Sequence, residues 1–466
     1  MRLLHYLTLC AGLTAAYPGI AAAGFDCAGK NADQFTAICR DSEIMKLDQA
    51  VDASLAHAQH ALDPMAAMLL RRDQSWVLEI AGGQYAQFKS ADDPRRQFVI
   101  GVLRQRLAML DHVAGHADSV AGDWSNALGT AKVTARADGL FHVEVRTKAA
   151  YWDGDEPLVC ALTADIKPND DGWLSGPAAV ITDGKAPSPP AADSPFTLRV
   201  HQQANTLRIV VAHDADQSVC DRVDNLTASY FSVAGAATTT ASNAPPPMTP
   251  PSFDCATAKN ADEIEICADP DLAEKDVAVA AAYGDALHRL DGKSADYLRE
   301  DERAWVGDNK AAYESQIHAA WDKQFYFAHH TGNARQELWL RLKERLAMLT
   351  NLDETREGEE GLWVGHAAML AIAPDKDKPG SVQAAGHKWD IGNWESHCDF
   401  DADGKMAGGA FKTDDEFPKL ARDAATLTLG DESTQPDYCE HMKTPKARLF
   451  PVKPNADVGF NDDRIR

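Results

Sequence analysis

The chain has 466 residues and a formal net charge of −24, with 45% hydrophobic and 25% charged residues. This length exceeds one ordinary hydrophobic core, so we expect roughly two to four domains of globular composition. The negative charge disfavours nucleic acid and anionic lipid as partners and favours basic proteins or cations, although a secreted protein also stays soluble in this way.

The N-terminus has the features of an export signal. Arg2 precedes an apolar run from Leu3 to Ala16, and the small residues Ala21 to Ala23 follow it. This order predicts a signal peptide over residues 1–23, cleaved before Gly24, and therefore a periplasmic or secreted protein. A lipid anchor at Cys10 is disfavoured because a large residue precedes it. No later stretch is apolar over 18 residues, so we predict no transmembrane span.

A short cysteine cassette occurs twice, as FDCAGKNADQFTAIC at residues 25–39 and as FDCATAKNADEIEIC at residues 253–267. In each copy an Asn stands three residues before a Gln or Glu, which is the spacing of a capping box. We expect a helix to begin at Asn31 and at Asn260 and to carry the second cysteine near its end. A zinc site would want a C-x2-C spacing or nearby histidines, and a thioredoxin-type redox pair would want C-x-x-C, so structural disulfides are favoured.

Eight cysteines remain without the signal peptide, an even number that predicts disulfides in an oxidising compartment. A loop as short as the cassette gains on the order of 3 kcal/mol when it is crosslinked. The pairing that respects the duplication is Cys27–Cys39, Cys160–Cys220, Cys255–Cys267 and Cys398–Cys439.

An amphipathic helical pattern follows each cassette, from Ile44 to Leu62 and from Leu272 to Leu290. We predict that Asp41 and Asp269 are the N-caps of these helices, with Pro270 at the first helical position. The apolar spacing thus indicates that each cassette leads into a helix with one buried face.

Two further helical motifs recur in the same order. The segment DQSWV (73–77) corresponds to ERAWV (302–306), and RLAML closes the last helix at 106–110 and again at 345–349. We interpret Trp76 and Trp305 as core residues, and Arg106 and Arg345 as partners of ion pairs on the helix surface.

The pattern then changes to the alternation that is typical of strands. Trp124 and Trp363 stand at the start of these regions and are interpreted as core. Residues 234–251 contain five prolines and no apolar periodicity, which indicates a semi-extended linker. The predicted strands are LFHVEV (140–145), FTLRV (196–200) and TLRIVV (206–211) in the first copy, and GLWVG (361–365), CDFDADG (398–404), ATLTL (425–429) and ARLFPV (447–452) in the second.

These segments predict an α+β protein, built as a tandem duplication of a disulfide-pinned helical bundle module followed by a small antiparallel β module. The predicted boundaries are a signal peptide at 1–23, helical modules at 24–118 and 253–355, β modules at 119–235 and 356–466, the latter with a C-terminal tail, and a proline-rich linker at 236–252.

The repeated motifs resemble the N-terminal domain of the LprI-type lysozyme inhibitor family, a group of secreted or lipoprotein bacterial domains. The family pattern is matched twice, at roughly residues 25–112 and 253–351. In each copy the order is the cassette, then LDQAV or KDVAV, then QSWV or RAWV, then RLAML. Members often carry another cysteine pair in the helical region, which is missing here, and the second copy has a longer insertion at 315–333. The resemblance implies an inhibitor of lysozyme-like muramidases, with a basic protein such as a lysozyme as its partner.

One segment suggests cation binding. Asp399, Asp401 and Asp403 occupy the first acidic positions of an EF-hand loop, but Ala410 stands where the loop needs a bidentate glutamate. We favour a β-hairpin turn over weak cation binding. No nucleophile, zinc or phosphate-loop motif occurs, so no catalytic, metal or cofactor residues are predicted, and a calcium-dependent hydrolase is the least favoured function.

Two binding functions therefore remain open. The first is an inhibitor of lysozyme-like muramidases, for which the acidic charge complements a basic partner. The second is a structural or sensing protein of the cell envelope that binds another ligand through its β modules. The sequence assigns no partner-binding residues in either case.

Overall fold

The chain forms eight helices within the part described by the computed structural model. In the first copy these are α1 (Thr36–Arg40), α2 (Ser42–Ala61), α3 (Pro64–Gly82) and α4 (Pro94–Leu110), and in the second α5 (Ala261–Ala268), α6 (Pro270–Arg289), α7 (Gly292–His318) and α8 (Thr331–Thr350). The structure describes residues 24–28, 35–82, 87–115, 117–148, 152–153, 156–157, 160–181, 191, 193–212, 226–233, 248–318, 331–390, 393–413, 419–430 and 447–454.

Each set of helices leads into a closed antiparallel barrel of eight strands. The first barrel contains β1 (Gly122–Ser125), β2 (Gly129–Ala135), β3 (Phe141–Thr147), β6 (Ala161–Pro168), β7 (Leu174–Val180), β8 (Phe196–Gln203), β9 (Thr206–Ala212) and β10 (Ala228–Ser232), with the two-stranded β4 (Trp152–Asp153) and β5 (Glu156–Pro157) inserted after β3. The second contains β11 (Gly361–Val364), β12 (Ala368–Pro374), β13 (Val382–Asp390), β14 (Asn393–Ala407), β15 (Ala410–Lys412), β16 (Leu420–Asp423), β17 (Thr426–Leu429) and β18 (Ala447–Val452).

The predicted fold class is therefore wrong. The protein is a predominantly β arrangement of two barrels, each preceded by helices, and not a pair of helical bundles with small β modules. Each barrel closes because its last strand pairs with its first, β10 with β1 and β18 with β11. Closure removes free sheet edges, which a small open β module would have to protect in some other way.

Three of the predicted helix starts, at Asp41, Asn260 and Asp269, agree with the structure. Asp41 caps α2 by accepting hydrogen bonds from the backbone of Glu43 and Ile44. Asp269 caps α6 in the same way, with Pro270 at the first helical position. In the second cassette Asn260 is the N-cap of α5, and the Glu263 carboxylate accepts from the Asn260 backbone N–H at 3.1 Å. The corresponding Asn31 lies outside the described residues, and the described part of that helix, α1, begins at Thr36.

The second barrel is buried on both faces where it meets the helices. Because successive strand residues point to opposite faces, Trp363 and Leu370 fill the barrel interior, whereas Leu362 and Met369 join the core that includes the helices. That outer core is continuous through both copies. The second barrel is therefore docked on the helices through the outer faces of its first strands.

The RLAML motif forms a buried ion pair in each copy. Arg106 Nη1 donates to Asp73 at 2.6 Å, and Arg345 Nη1 donates to Asp301 at 2.7 Å. Both arginines are almost fully buried, so their interpretation as surface ion-pair partners is wrong. Trp76 and Trp305 are buried, as predicted. The motif recurs because it supplies the cation that neutralises an aspartate inside the helical core.

A second buried ion cluster joins the two copies. Arg208, on the outer face of β9, donates to Glu265 of α5 and to Asp269, the cap of α6. Arg335 of α8 also donates to Asp269, at 3.0 and 3.1 Å. Burial alone would raise the pKa of Asp269, but Arg335 and Arg208 outweigh it and hold the pKa well below its ordinary value.

Three further contacts extend this inter-copy cluster. Arg72 of α3 donates to Glu265 at 3.1 Å and to the Tyr313 hydroxyl of α7 at 3.3 Å. The Trp173 indole N–H donates to Asp271 at 3.0 Å. Arg199 stacks on the Trp173 ring, 4.4 Å from its centroid, and also binds Asp271. The cluster therefore pairs cations of the first copy with carboxylates within α5 and at the start of α6 in the second.

We predict that Arg208→Ala destabilises the protein strongly. Removal of the guanidinium leaves Glu265 and Asp269 with less compensation in a buried site, which costs on the order of 3 kcal/mol. Urea unfolding followed by circular dichroism measures the loss. Arg104→Ala is the matched control, since Arg104 pairs with Glu43 at 2.9 Å on the surface and should contribute less than about 1 kcal/mol. Equal losses in both variants would contradict the prediction.

Glu79 on α3 should make stability depend on pH. Burial raises the pKa of its carboxyl to about 7, against the attraction of Arg72. The folded state therefore holds this proton more tightly than the unfolded chain. Stability from this group is fully present below pH 4.5, the ordinary value, and is lost as the pH rises to about 7.

We therefore expect Glu79→Gln to stabilise the protein by on the order of 3 kcal/mol at about pH 8 and to have little effect at about pH 4. Urea midpoints at the two pH values measure this difference. The exposed Glu357→Gln serves as control. A gain of the same size at both pH values would show that removal of the charge is not the cause.

Candidate functional site

A groove of about 560 Å³ lies in the first copy, between the end of α4 and the outer face of β1 to β3. Met109, Ala131 and Val233 are among the residues that make its lining mainly apolar, and His112 stands at its helical side. An open concave surface with apolar atoms beneath a polar rim is the usual form of a binding site.

The buried Arg106–Asp73 pair holds this groove in shape. Asp73 also accepts a hydrogen bond from the Ala127 backbone N–H, in the turn between β1 and β2, at 2.8 Å. Arg106 contacts the Met109 sulfur at 3.1 Å. One ion pair thus fixes both sides of the groove, the helix end through Arg106 and the strand hairpin through Asp73.

The rim follows from the strand register. Asp123, Lys132 and Glu144 are direct neighbours across β1, β2 and β3, so their charges alternate along one row. The adjacent row consists of Ser125, Thr130 and Arg146 in the same three strands. Opposite charges in neighbouring positions stabilise the sheet and leave the groove with a mixed rim that is not strongly charged.

The equivalent place in the second copy is closed. There, Val364 and Met369 form the cross-strand pair that corresponds to Ser125 and Thr130. With Trp389 beside them, they leave a cleft of only about 30 Å³. The ion pair below is retained, because Asp301 accepts from Arg345 and from the His366 backbone N–H. The two copies therefore share this frame, which is the buried aspartate–arginine pair with its hydrogen bond to the first hairpin of the barrel. They differ in the surface residues above it.

A second concave surface, of about 310 Å³, lies between α6 and α7. It is lined by Tyr283 and Val306 together with Arg299, Glu302 and Arg303. Val306 is 52% exposed, whereas Val77, at the same place in the DQSWV motif, is 2% exposed. Glu302 is paired with Arg345, so the two arginines make this surface a poor match for a basic partner.

The cysteines predicted to pair inside each cassette are bonded. The Cα atoms of Cys27 and Cys39 are 5.7 Å apart, and those of Cys255 and Cys267 are 5.9 Å apart. Cys160 and Cys398 are also in disulfides, but their predicted partners Cys220 and Cys439 lie outside the described residues, so that pairing stays a prediction.

The three aspartates considered as a cation loop lie within strand β14. Asp399, Asp401 and Asp403 face His387, Ala385 and Gln383 of β13 in regular register. Alternate residues of a strand lie in a line on one face and do not wrap around an ion. The hairpin turn that we predicted in this segment comes later, at Gly408 and Gly409, both of which have positive φ.

Comparisons with protein-family models, curated proteins and solved structures give no match for this chain. In the described part of the chain, no group of three or more His, Cys, Asp or Glu side chains is arranged to hold a metal ion. No helix in the same part is both long and apolar enough to cross a bilayer. The groove was not found by sequence reasoning, although aligning the two hairpins places Ser125 and Thr130 opposite larger apolar residues.

Proposed function

We propose that the protein is an exported binding protein that inhibits a lysozyme-like muramidase, and that the groove of the first copy receives part of that enzyme. The observation that carries the proposal is the open apolar groove beside α4, which larger side chains close in the second copy. The resemblance of the repeated motifs to the LprI-type inhibitors supplies the class of partner.

Charge supports the same class of partner. With a net charge of −24, the protein attracts a basic enzyme over a long range, and such attraction raises association rates at low salt. The groove would then provide the short-range contact, because apolar atoms covered by a partner contribute to affinity while its mixed rim sets the orientation. On this proposal the second barrel positions the first and does not bind the enzyme itself.

We predict that Thr130→Met, which introduces the residue of the second copy, weakens inhibition at least about tenfold by filling the groove, a loss of about 1.4 kcal/mol. Lysis of cell-wall substrate by a common basic lysozyme, with the full-length exported protein in several-fold excess, measures inhibition. Thr134→Met is the matched control, because Thr134 is exposed on the same face of β2 and lies outside the groove lining.

The outcomes separate the proposals. If the unmodified protein does not slow lysis, the inhibitor proposal is wrong. Recovery of a different envelope protein in a pull-down with this chain would then favour a structural or sensing role. If it slows lysis but both variants act like the unmodified protein, inhibition stands and the groove is not its site. Loss of inhibition in both variants would point to the barrel surface as a whole.

A further inference from the structure

Gly24 is buried against two carboxylates of α2. A Cβ atom added to Gly24 would lie 2.6 Å from Asp48 Oδ2 and 2.9 Å from Asp52 Oδ2, so a larger residue would have to push these carboxylates aside. The next backbone N–H, that of Phe25, donates to Asp48 Oδ2 at 3.3 Å. The main chain at residue 24 therefore runs directly over the pair of acids.

The two carboxylates are not neutralised by any side chain described in the structure. Asp48 is 4% exposed, and its Oδ1 is buried without a hydrogen-bond donor, as is Asp52 Oδ1. Burial, with a smaller effect from the neighbouring Asp52, raises the pKa of Asp48 to about 6. Burial also raises the pKa of Asp52. Such a pair favours a cation at its side.

The second copy provides an internal comparison. Asp276, in KDVAV, corresponds to Asp48, in LDQAV, and it accepts from the Ser252 backbone N–H at 2.6 Å. The position of Asp52 is taken by Ala280 in this copy. There the chain continues upstream through Pro251, and one carboxylate meets one peptide N–H. The second carboxylate is therefore present only in the copy that follows the predicted cleavage site.

We infer that export processing cuts the chain between Ala23 and Gly24 and that the new α-ammonium group forms a buried ion pair with Asp48 and Asp52. In this step a signal peptidase adds water across the peptide bond. Ala23 leaves with the carboxylate, and the Gly24 nitrogen becomes an amine that is protonated at neutral pH. The cation is thus supplied by the chain itself, and the inference does not depend on what the protein inhibits.

The cleavage is tested by intact mass and N-terminal sequencing of the full-length chain exported by a bacterial host. We expect a single mature protein that begins at Gly24. A start at any other residue would overturn the inference, because the amine would then lie away from the two carboxylates.

The ion pair is tested by blocking the amine. We expect acetylation of Gly24, or one extra alanine before it, to lower the thermal midpoint of the mature protein by roughly 3 °C or more. In an Asp48→Asn/Asp52→Asn background the same block should have no effect, because its target is gone. In the control variant Asp276→Asn, which alters the corresponding acid of the second copy, the block should keep its full effect.

A titration gives an independent readout. With ¹³C-labelled glycine, the NMR shift of the Gly24 α-carbon should report an amine pKa above the ordinary value of about 8, and the double asparagine variant should return it to that value. An ordinary amine pKa in the unmodified protein, or a blocking effect that persists in the double variant, would overturn the ion pair.

Discussion

The buried carboxylate of Asp269 is the interaction on which the arrangement of the two copies depends. It caps α6 through two backbone N–H groups and at the same time binds Arg208 of the first barrel and Arg335 of α8. A fully buried carboxylate is tolerated only when such donors surround it. The beginning of the second copy is therefore also its point of attachment to the first, and the two halves form one unit through it.

The duplication explains what the repeated motifs do. In each copy one buried aspartate joins the arginine of RLAML to the first hairpin of the barrel, through Ala127 in one case and His366 in the other. This frame places the same two elements side by side twice. Because the frame is internal, the surface residues above it are free to differ, and the pair at Thr130 and Met369 shows how one copy is open and the other closed.

The local features of the fold could be predicted from sequence, but barrel closure could not. Helix caps such as Asp269 and buried tryptophans such as Trp363 carry their own local signal. Strands such as β7, LSGPAAV, and β13, VQAAGHKWD, contain few β-branched residues and little alternation, so their sequences do not predict strands and the predicted sheets are too small.

The burial of charged side chains is the other feature that the sequence does not predict. Nothing near Arg106 in the sequence distinguishes a surface arginine from one that meets Asp73 inside the core, because the pairing joins different helices. The candidate groove depends in the same way on neighbours in adjacent strands, which register alone determines.

The first barrel closes without any strand from the second copy. Pairing of β10 with β1 needs only residues that precede the linker. Arg72, Arg199 and Arg208 of the first copy nevertheless all bind carboxylates of α5 and α6. A first copy without the second would therefore expose a basic patch on an otherwise acidic chain. In the intact protein the second copy covers that patch and neutralises it.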